Sequence, residues 1–536
     1  MVKQPAIGIV RLTLLLALFF VLCGNQPFWG KTLAFFAPTT ASNLLCLFSV
    51  FTVTTSLMVL LISLVAWPRL LRPVLTLVLL CHAAAAYFMN SYGIVIDRDM
   101  LQNVFETNPA EAAELLNLKL GAYLLLGLLP SLLLWRVEIR FGSWRRLLLG
   151  KLALVLLALG VIAANAWFFY QDYASFFRNQ GETRRLFTPA NLIYATGDYL
   201  HHRLKKPAVL EKVGTDATLS PLWQQRTTPT LFVIVVGETA RAANFGIDGY
   251  QRNTTPELGK LDVINFPQAY SCGTATATSV PCMFSPMSRE EYKSSQHKES
   301  LLDVVQRAGI PVLWRDNNSG CKGACDRVQF EDLSSQKDPV LCRDGECFDE
   351  ILLQDLAQKL EGNKGNLLLV LHQKGSHGPA YYQRYPKQFE QFTPVCRTNK
   401  LQECSREAIT NAYDNTILYT DHVLAELIGL LKQQSHYSTA MWYMSDHGES
   451  LGENNLYLHG APYSMSPETQ RHIPMVQWFS EGFAEQRGLD LSCLRQQASQ
   501  PASHDNLFHS VLGILDIHTS VYQPSLDLFK TCRKAN

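Results

Sequence analysis

Along the first third of the chain apolar residues run on almost without interruption, and five stretches stand out, at about 7 to 24, 44 to 66, 74 to 90, 118 to 135 and 148 to 170. Each is close to the ~20 residues that a helix needs to cross a bilayer. They predict a transmembrane domain of five helices over residues 1–170. The first stretch has the length of a signal peptide, but no small-residue cleavage site follows it. Residues 171–228 mix aromatics with charge, as in TRRLFTPANLIYATGDYLHHRLKKP, a pattern that predicts an amphipathic helix along the membrane surface and then a linker. From residue 229 to 536 the pattern changes to short continuous apolar runs, TLFVIVV, IPVLWR, NLLLVLH, TAMWYMS and IPMVQWF, separated by helical stretches such as ILYTDHVLAELIGLLKQQ. Runs of this kind are strands buried on both faces, so a second domain is predicted, of α/β class, with a largely parallel sheet covered by helices.

Charge orients the spans. Lys3 and Arg11, then Arg69 and Arg72, then Arg136, Arg140, Arg145, Arg146 and Lys151 fall at alternate loops, which assigns those loops to the cytoplasm. The loop from Ser91 to Asn117 is acidic instead, with Asp97, Asp99, Glu106, Glu111 and Glu114. An odd number of spans then places everything after Tyr170 on the far side of the membrane. Cysteine usage agrees independently. Three of the thirteen lie in apolar segments, and the other ten fall between Cys272 and Cys532. Four close pairs, Cys272 with Cys282, Cys321 with Cys325, Cys342 with Cys347 and Cys396 with Cys404, leave Cys493 for Cys532. That arithmetic predicts disulfides in an oxidising compartment, while zinc-finger ligation finds no CxxC pair. A formal charge of +1 without a basic run argues against nucleic acid as a partner.

Ligands of open α/β sheets gather beyond the carboxyl ends of the strands, and here those positions are polar. TLFVIVV is followed by Gly237, Glu238 and Thr239; IPVLWR by Asp316, Asn317, Asn318 and Ser319; NLLLVLH by Lys374 to Gly378; and TAMWYMS by Asp446, His447, Gly448 and Glu449. Glu238, Asp446 and His447 would converge on one divalent ion, and zinc fits mixed nitrogen and oxygen ligands best. The stretch Ser271–Ser285, SCGTATATSVPCMFS, reads as a stapled turn presenting Thr276 as a nucleophile. A dication beside its hydroxyl would favour the alkoxide and so a phosphothreonine intermediate. Lys322, His377 and His459 are placed to stabilise charge or exchange protons. His372, inside a strand run, reads as structural.

VVGETARAANFGIDGYQRNTTPEL, SCGTATATSVPCMFS, NNSGCKG, KGSHGP, SDHGESLGENNLYLHG and IPMVQWF together resemble the lipid A phosphoethanolamine transferases, the family that includes the mobile colistin-resistance enzymes. The resemblance covers essentially the whole chain. It implies a sulfatase or alkaline-phosphatase-like periplasmic domain on an inner-membrane anchor, which takes phosphoethanolamine from phosphatidylethanolamine and passes it to a lipid A phosphate. Loss of surface negative charge would then give polymyxin resistance. By the family pattern Glu238, Thr276, Asp446 and His447 hold zinc, Ser319, Lys322, His377 and His459 contact substrate or a second zinc, and Asn103, Thr107 and Glu111 contribute to the ethanolamine site. A monomer is expected. Competing readings are the same chemistry on lipopolysaccharide core sugars, or a membrane-anchored binding or sensor protein, which would show gaps among nucleophile and ligands. A sulfatase would need a Cys-x-Pro-x-Arg precursor or its Ser equivalent, which Cys272-Gly273-Thr274 does not supply.

Overall fold

A computed structural model describes residues 6–106, 113, 115–179, 181–204, 210–293, 297–343 and 345–534. They fall into two compact units. One comprises Met1–Leu101 with Leu116–His201, the other Gln102–Leu115 with His202–Asn536.

Among the described residues of the N-terminal unit, four helices are long and apolar enough to cross a membrane: Ala41–Val65, Leu71–Tyr92, Leu118–Arg136 and Trp144–Phe168. The first expected span is a bent pair, Ile9–Leu22 and Gln26–Phe35, turning by 70° and making a fifth if counted as one. The sequence Gly24-Asn25-Gln26-Pro27 explains the break. Gly24 adopts φ +82°, and Pro27 sits in the first turn of the second helix, where its missing N–H costs nothing. Polar side chains satisfy the backbone groups freed there. Asn25, fully buried, donates to the carbonyls of Phe20 at 2.6 Å and Thr188 at 2.8 Å, and His82 Nε2 bonds the Cys23 carbonyl at 2.9 Å. The mixed segment after the last span forms helices Tyr170–Asn179 and Ala190–Leu204.

The C-terminal unit is built on a seven-stranded sheet of β1 (Thr230–Gly237), β2 (Ile264–Asn265), β3 (Val312–Asp316), β4 (Gln329–Asp332), β5 (Leu367–His372), β6 (Ser438–Ser445) and β7 (Met475–Phe479), in the order β2-β7-β6-β1-β5-β3-β4. The five strands from β6 to β4 run parallel; β7 and β2 are antiparallel additions at one edge. All eight residues of β1 and of β6 are buried, as continuous apolar runs require. Helices cover both faces, among them α1 (Thr276–Met283) and the long α2 (Arg406–Gln433). Register sets the level of the strand ends. Ser445 lies opposite Gly237, and His372 lies opposite both Val236 and Asp316, so the residues leaving β1, β3, β5 and β6 emerge side by side. The five disulfides are those expected from spacing, 272–282, 321–325, 342–347, 396–404 and 493–532.

Candidate active site

Glu238 and Asp446 are the first residues beyond β1 and β6, and the common level of those strands makes them neighbours. Both are completely buried, as is His447. Glu238 Oε2 accepts hydrogen bonds from Thr276 Oγ1 at 3.0 Å and Asn318 Nδ2 at 2.8 Å. Asp446 Oδ1 accepts from the backbone N–H groups of Thr239 at 3.2 Å and His447 at 2.7 Å. The remaining oxygens, Glu238 Oε1 and Asp446 Oδ2, are buried without a hydrogen-bond partner. Each lies 3.4 Å from His447 Nε2. His447 Nδ1 bonds the Gly448 carbonyl at 2.9 Å, an atom that only accepts, so Nδ1 carries the proton and Nε2 presents its lone pair to the two carboxylates.

Burial would make two ionised carboxylates at this spacing unstable. It raises the Glu238 carboxyl, with repulsion from Asp446 adding to it, and raises Asp446 to about 6. Burial, with the charge of His459 adding to it, lowers His447 to about 4, which keeps its lone pair available. Ligand atoms of the three residues lie within 4.8 Å of one another. Two orphaned carboxylate oxygens and an imidazole lone pair facing one point fit a divalent cation, which would supply the missing counter-charge.

The nucleophile loop is held from several sides. The Cys272–Cys282 disulfide closes it, and His504 accepts from the Cys272 N–H at 3.1 Å while its Nε2 bonds the Ser445 carbonyl at 2.9 Å. Thr276 is the first residue of α1, behind an N-cap, Ala275, without a side-chain cap. Its hydroxyl therefore serves no helix end, and it lies 3.4 Å from His447 Nε2 as well as against Glu238. Thr274 is turned elsewhere, donating to the Ala461 carbonyl at 2.6 Å.

Of the other residues singled out in the sequence, His459 packs its ring 4.4 Å from that of His447 and 5.6 Å from that of His377. Its Nδ1 lies 3.5 Å from Glu449 Oε1. Although burial opposes charge there, Glu449 holds the imidazole up at about 9. Ser319 follows Asn318 directly, and Lys322 Nζ donates to the Ser319 carbonyl at 3.0 Å. Asn103 sits in the helix Arg98–Glu106; Thr107 and Glu111 lie outside the described residues.

Two participants escaped the sequence reading as site residues: Asn318 holds Glu238 and Glu449 holds His459. His372, read as structural, pairs with Asp316 at 2.8 Å through Nδ1 while its Nε2 lies 3.3 Å from Asn318 Nδ2. Asn318 and Glu449 stand at the polar strand ends, the signal that could have found them.

Residues 230–517 match the family description Sulfatase, and residues 54–204 match Phosphoethanolamine transferase EptA/EptB. The chain is 42% identical over 545 aligned residues to phosphoethanolamine transferase EptA of Escherichia coli strain K12, covering 100% of this chain and 99% of that protein. It is 39% identical over 481 residues to phosphatidylethanolamine transferase Mcr-1 of Escherichia coli, covering 86% and 88%. The solved integral membrane protein lipooligosaccharide phosphoethanolamine transferase A from Neisseria meningitidis superposes with a TM-score of 0.95 at 37% identity, covering 99% of this chain and 100% of that one. The soluble domain of the same enzyme matches over 62% of this chain with a TM-score of 0.59 and 44% identity. With full-length likeness in both sequence and fold, the chain belongs to the EptA family of phosphoethanolamine transferases.

Proposed function

We propose that this protein transfers phosphoethanolamine from phosphatidylethanolamine to a phosphate of lipid A by way of a phosphothreonine at Thr276, with the catalytic unit in the periplasm and the apolar helices in the bacterial inner membrane. The observation that carries the reading is the position of the Thr276 hydroxyl, 3.0 Å from Glu238 Oε2 and 3.4 Å from His447 Nε2, beside two carboxylate oxygens that lack partners.

Glu238, Asp446, His447 and Thr276 would hold zinc, the cation that suits a mixed nitrogen and oxygen donor set. Zinc when bound supplies Lewis acidity that favours ionisation of a neighbouring hydroxyl and offsets phosphoryl charge. Glu238 Oε2 accepts from the Thr276 hydroxyl and so orients its proton toward the carboxylate. Attack forms the Oγ1–phosphorus bond and breaks the bond from phosphorus to the diacylglycerol oxygen, which takes up the proton released from Thr276. Thr276 opens α1, so the positive dipole end of that helix would favour negative charge on a group transferred to its hydroxyl. In the second half an oxygen of the acceptor phosphate attacks the same phosphorus, the phosphorus–Oγ1 bond breaks, and Thr276 Oγ1 takes up the proton given up by the acceptor phosphate. Ser319, Lys322, His377 and His459 are assigned to substrate contact, and Asn103, Thr107 and Glu111 to the ammonium end of the donor. A single copy of the chain suffices for this chemistry. Replacing a charged phosphate face by a zwitterionic one lowers surface negative charge and would weaken binding of polymyxin and colistin.

Mass spectrometry of lipid A from cells expressing the chain tests the reading. A phosphoethanolamine increment that disappears with Thr276→Ala is expected; unmodified lipid A in cells carrying folded wild-type protein would overturn it.

A further inference from the structure

The turn that carries Glu238 is held in a conformation its sequence resists. Thr239 has φ +52°, in the left-handed region, where a β-branched residue is an outlier. It is fully buried, and its own hydroxyl has no hydrogen-bond partner, so its side chain supplies no hydrogen bond that stabilises this geometry. The restraint comes from outside. Tyr413, buried in the N-terminal part of α2 and 174 residues away in sequence, donates its hydroxyl to the Thr239 carbonyl at 2.6 Å. The same oxygen accepts the Arg241 N–H at 3.0 Å, so one phenol grips both ends of the turn. Arg241 in turn lays its guanidinium over the Tyr413 ring at 5.6 Å. On the opposite side Gly375 closes in: a Cβ there would stand 2.6 Å from the Glu238 carbonyl oxygen, which accepts the Ser376 N–H at 2.9 Å.

We infer that Tyr413 is a positioning residue for the metal and nucleophile centre: its hydroxyl holds Thr239 in the left-handed conformation that turns Glu238 Oε1 and Asp446 Oδ2 toward the same point. The Thr239 N–H donates to Asp446 Oδ1, so the rotation of this one peptide is coupled to both acids. Loss of the phenolic oxygen leaves a carbonyl and an N–H unsatisfied, and the turn relaxes toward negative φ. This inference rests on the metal reading above only in its consequence; the restraint itself is a property of the turn.

A double-mutant cycle on the full-length chain in detergent separates the two. Hydrogen exchange read by mass spectrometry is expected to show the segment around Thr239 and Arg241 opening roughly tenfold or more faster in Tyr413→Phe, with β1 still protected. Zinc titration of the same variant is expected to show affinity about 10- to 100-fold weaker, the usual effect of removing an outer support of a ligand. Thr239→Gly removes the side chain that resists positive φ. In that background Tyr413→Phe is expected to change zinc affinity by less than about a third of its effect in the wild type. Equal losses in both backgrounds, or unchanged exchange in Tyr413→Phe, would overturn the inference. If wild-type protein bound no zinc while exchange in Tyr413→Phe behaved as stated, the metal reading alone would fall.

Discussion

Asn318 ties the Glu238 carboxylate to its surroundings through one buried side chain. Its Nδ2 donates to Glu238 Oε2 at 2.8 Å and to the Gln373 carbonyl at 2.8 Å, and its Oδ1 accepts from the Ser319 N–H at 2.8 Å. Asn318→Ala removes the donor that orients the carboxylate against Thr276. A hydrogen bond to a charged partner contributes about 1.5–3 kcal/mol, and at ~1.4 kcal/mol per factor of ten that is a fall of roughly 10- to 140-fold in kcat/KM. The loss should sit mainly in kcat, because the affected carboxylate orients the nucleophile rather than the donor lipid. Release of diacylglycerol from a fluorescent phosphatidylethanolamine in detergent measures it, with thermal unfolding run in parallel. Asn317→Ala is the matched control. Asn317 is equally buried and its Nδ2 also makes two bonds, to the Cys347 carbonyl at 2.9 Å and Asp349 Oδ1 at 2.8 Å, none of them to Glu238. It should lower stability with a far smaller effect on turnover. Asn318→Ala within about threefold of wild type, or equal losses for the two variants at equal loss of stability, would refute the argument.

Two further outcomes follow from the catalytic unit. Burial raises the Asp248 carboxyl to about 7, its Oδ1 accepting from Asn265 at 2.7 Å and its Oδ2 lacking a partner. Because the folded value lies above the unfolded one of about 4, its stabilisation is fully present below about pH 4 and lost as pH rises through about 7. Asp248→Asn should therefore flatten the fall in Tm between about pH 5 and pH 8, and an unchanged slope would contradict this. Among the disulfides, 493–532 closes a separation of 39 residues and 321–325 one of only 4. Loop-closure entropy assigns them about 4 and about 2 kcal/mol, so serine replacement of the former pair should cost more Tm. The opposite ranking in non-reducing melts would count against it.

What was legible in the sequence followed from periodicity and what was not followed from distance. Strands β1, β3, β5, β6 and β7 announce themselves as unbroken apolar runs because both faces are covered. The edge strands β2 and β4 do not: β2 has two residues, and β4, Gln329–Asp332, is mostly exposed and polar. The five apolar stretches show equally plainly, yet the bend at Gly24-Asn25 depends on His82 and Thr188, which no local pattern ties to it. At the site, acids and histidines just past strand ends could be picked out because chemistry favours those positions. Tyr413, by contrast, reads as an ordinary core residue of a long helix. Its importance arises only from a φ angle at Thr239 and a contact spanning 174 residues.

The central claim is a covalent phosphoethanolamine on Thr276, and peptide mass spectrometry of the full-length protein after incubation with phosphatidylethanolamine, in the absence of acceptor, reads it directly. A phosphoethanolamine mass increment is expected on the peptide between Cys272 and Cys282, localised by fragmentation to Thr276 and absent from Thr276→Ala. An adduct on Thr274 or Thr278, or transfer that proceeds at the wild-type rate in Thr276→Ala, would contradict it.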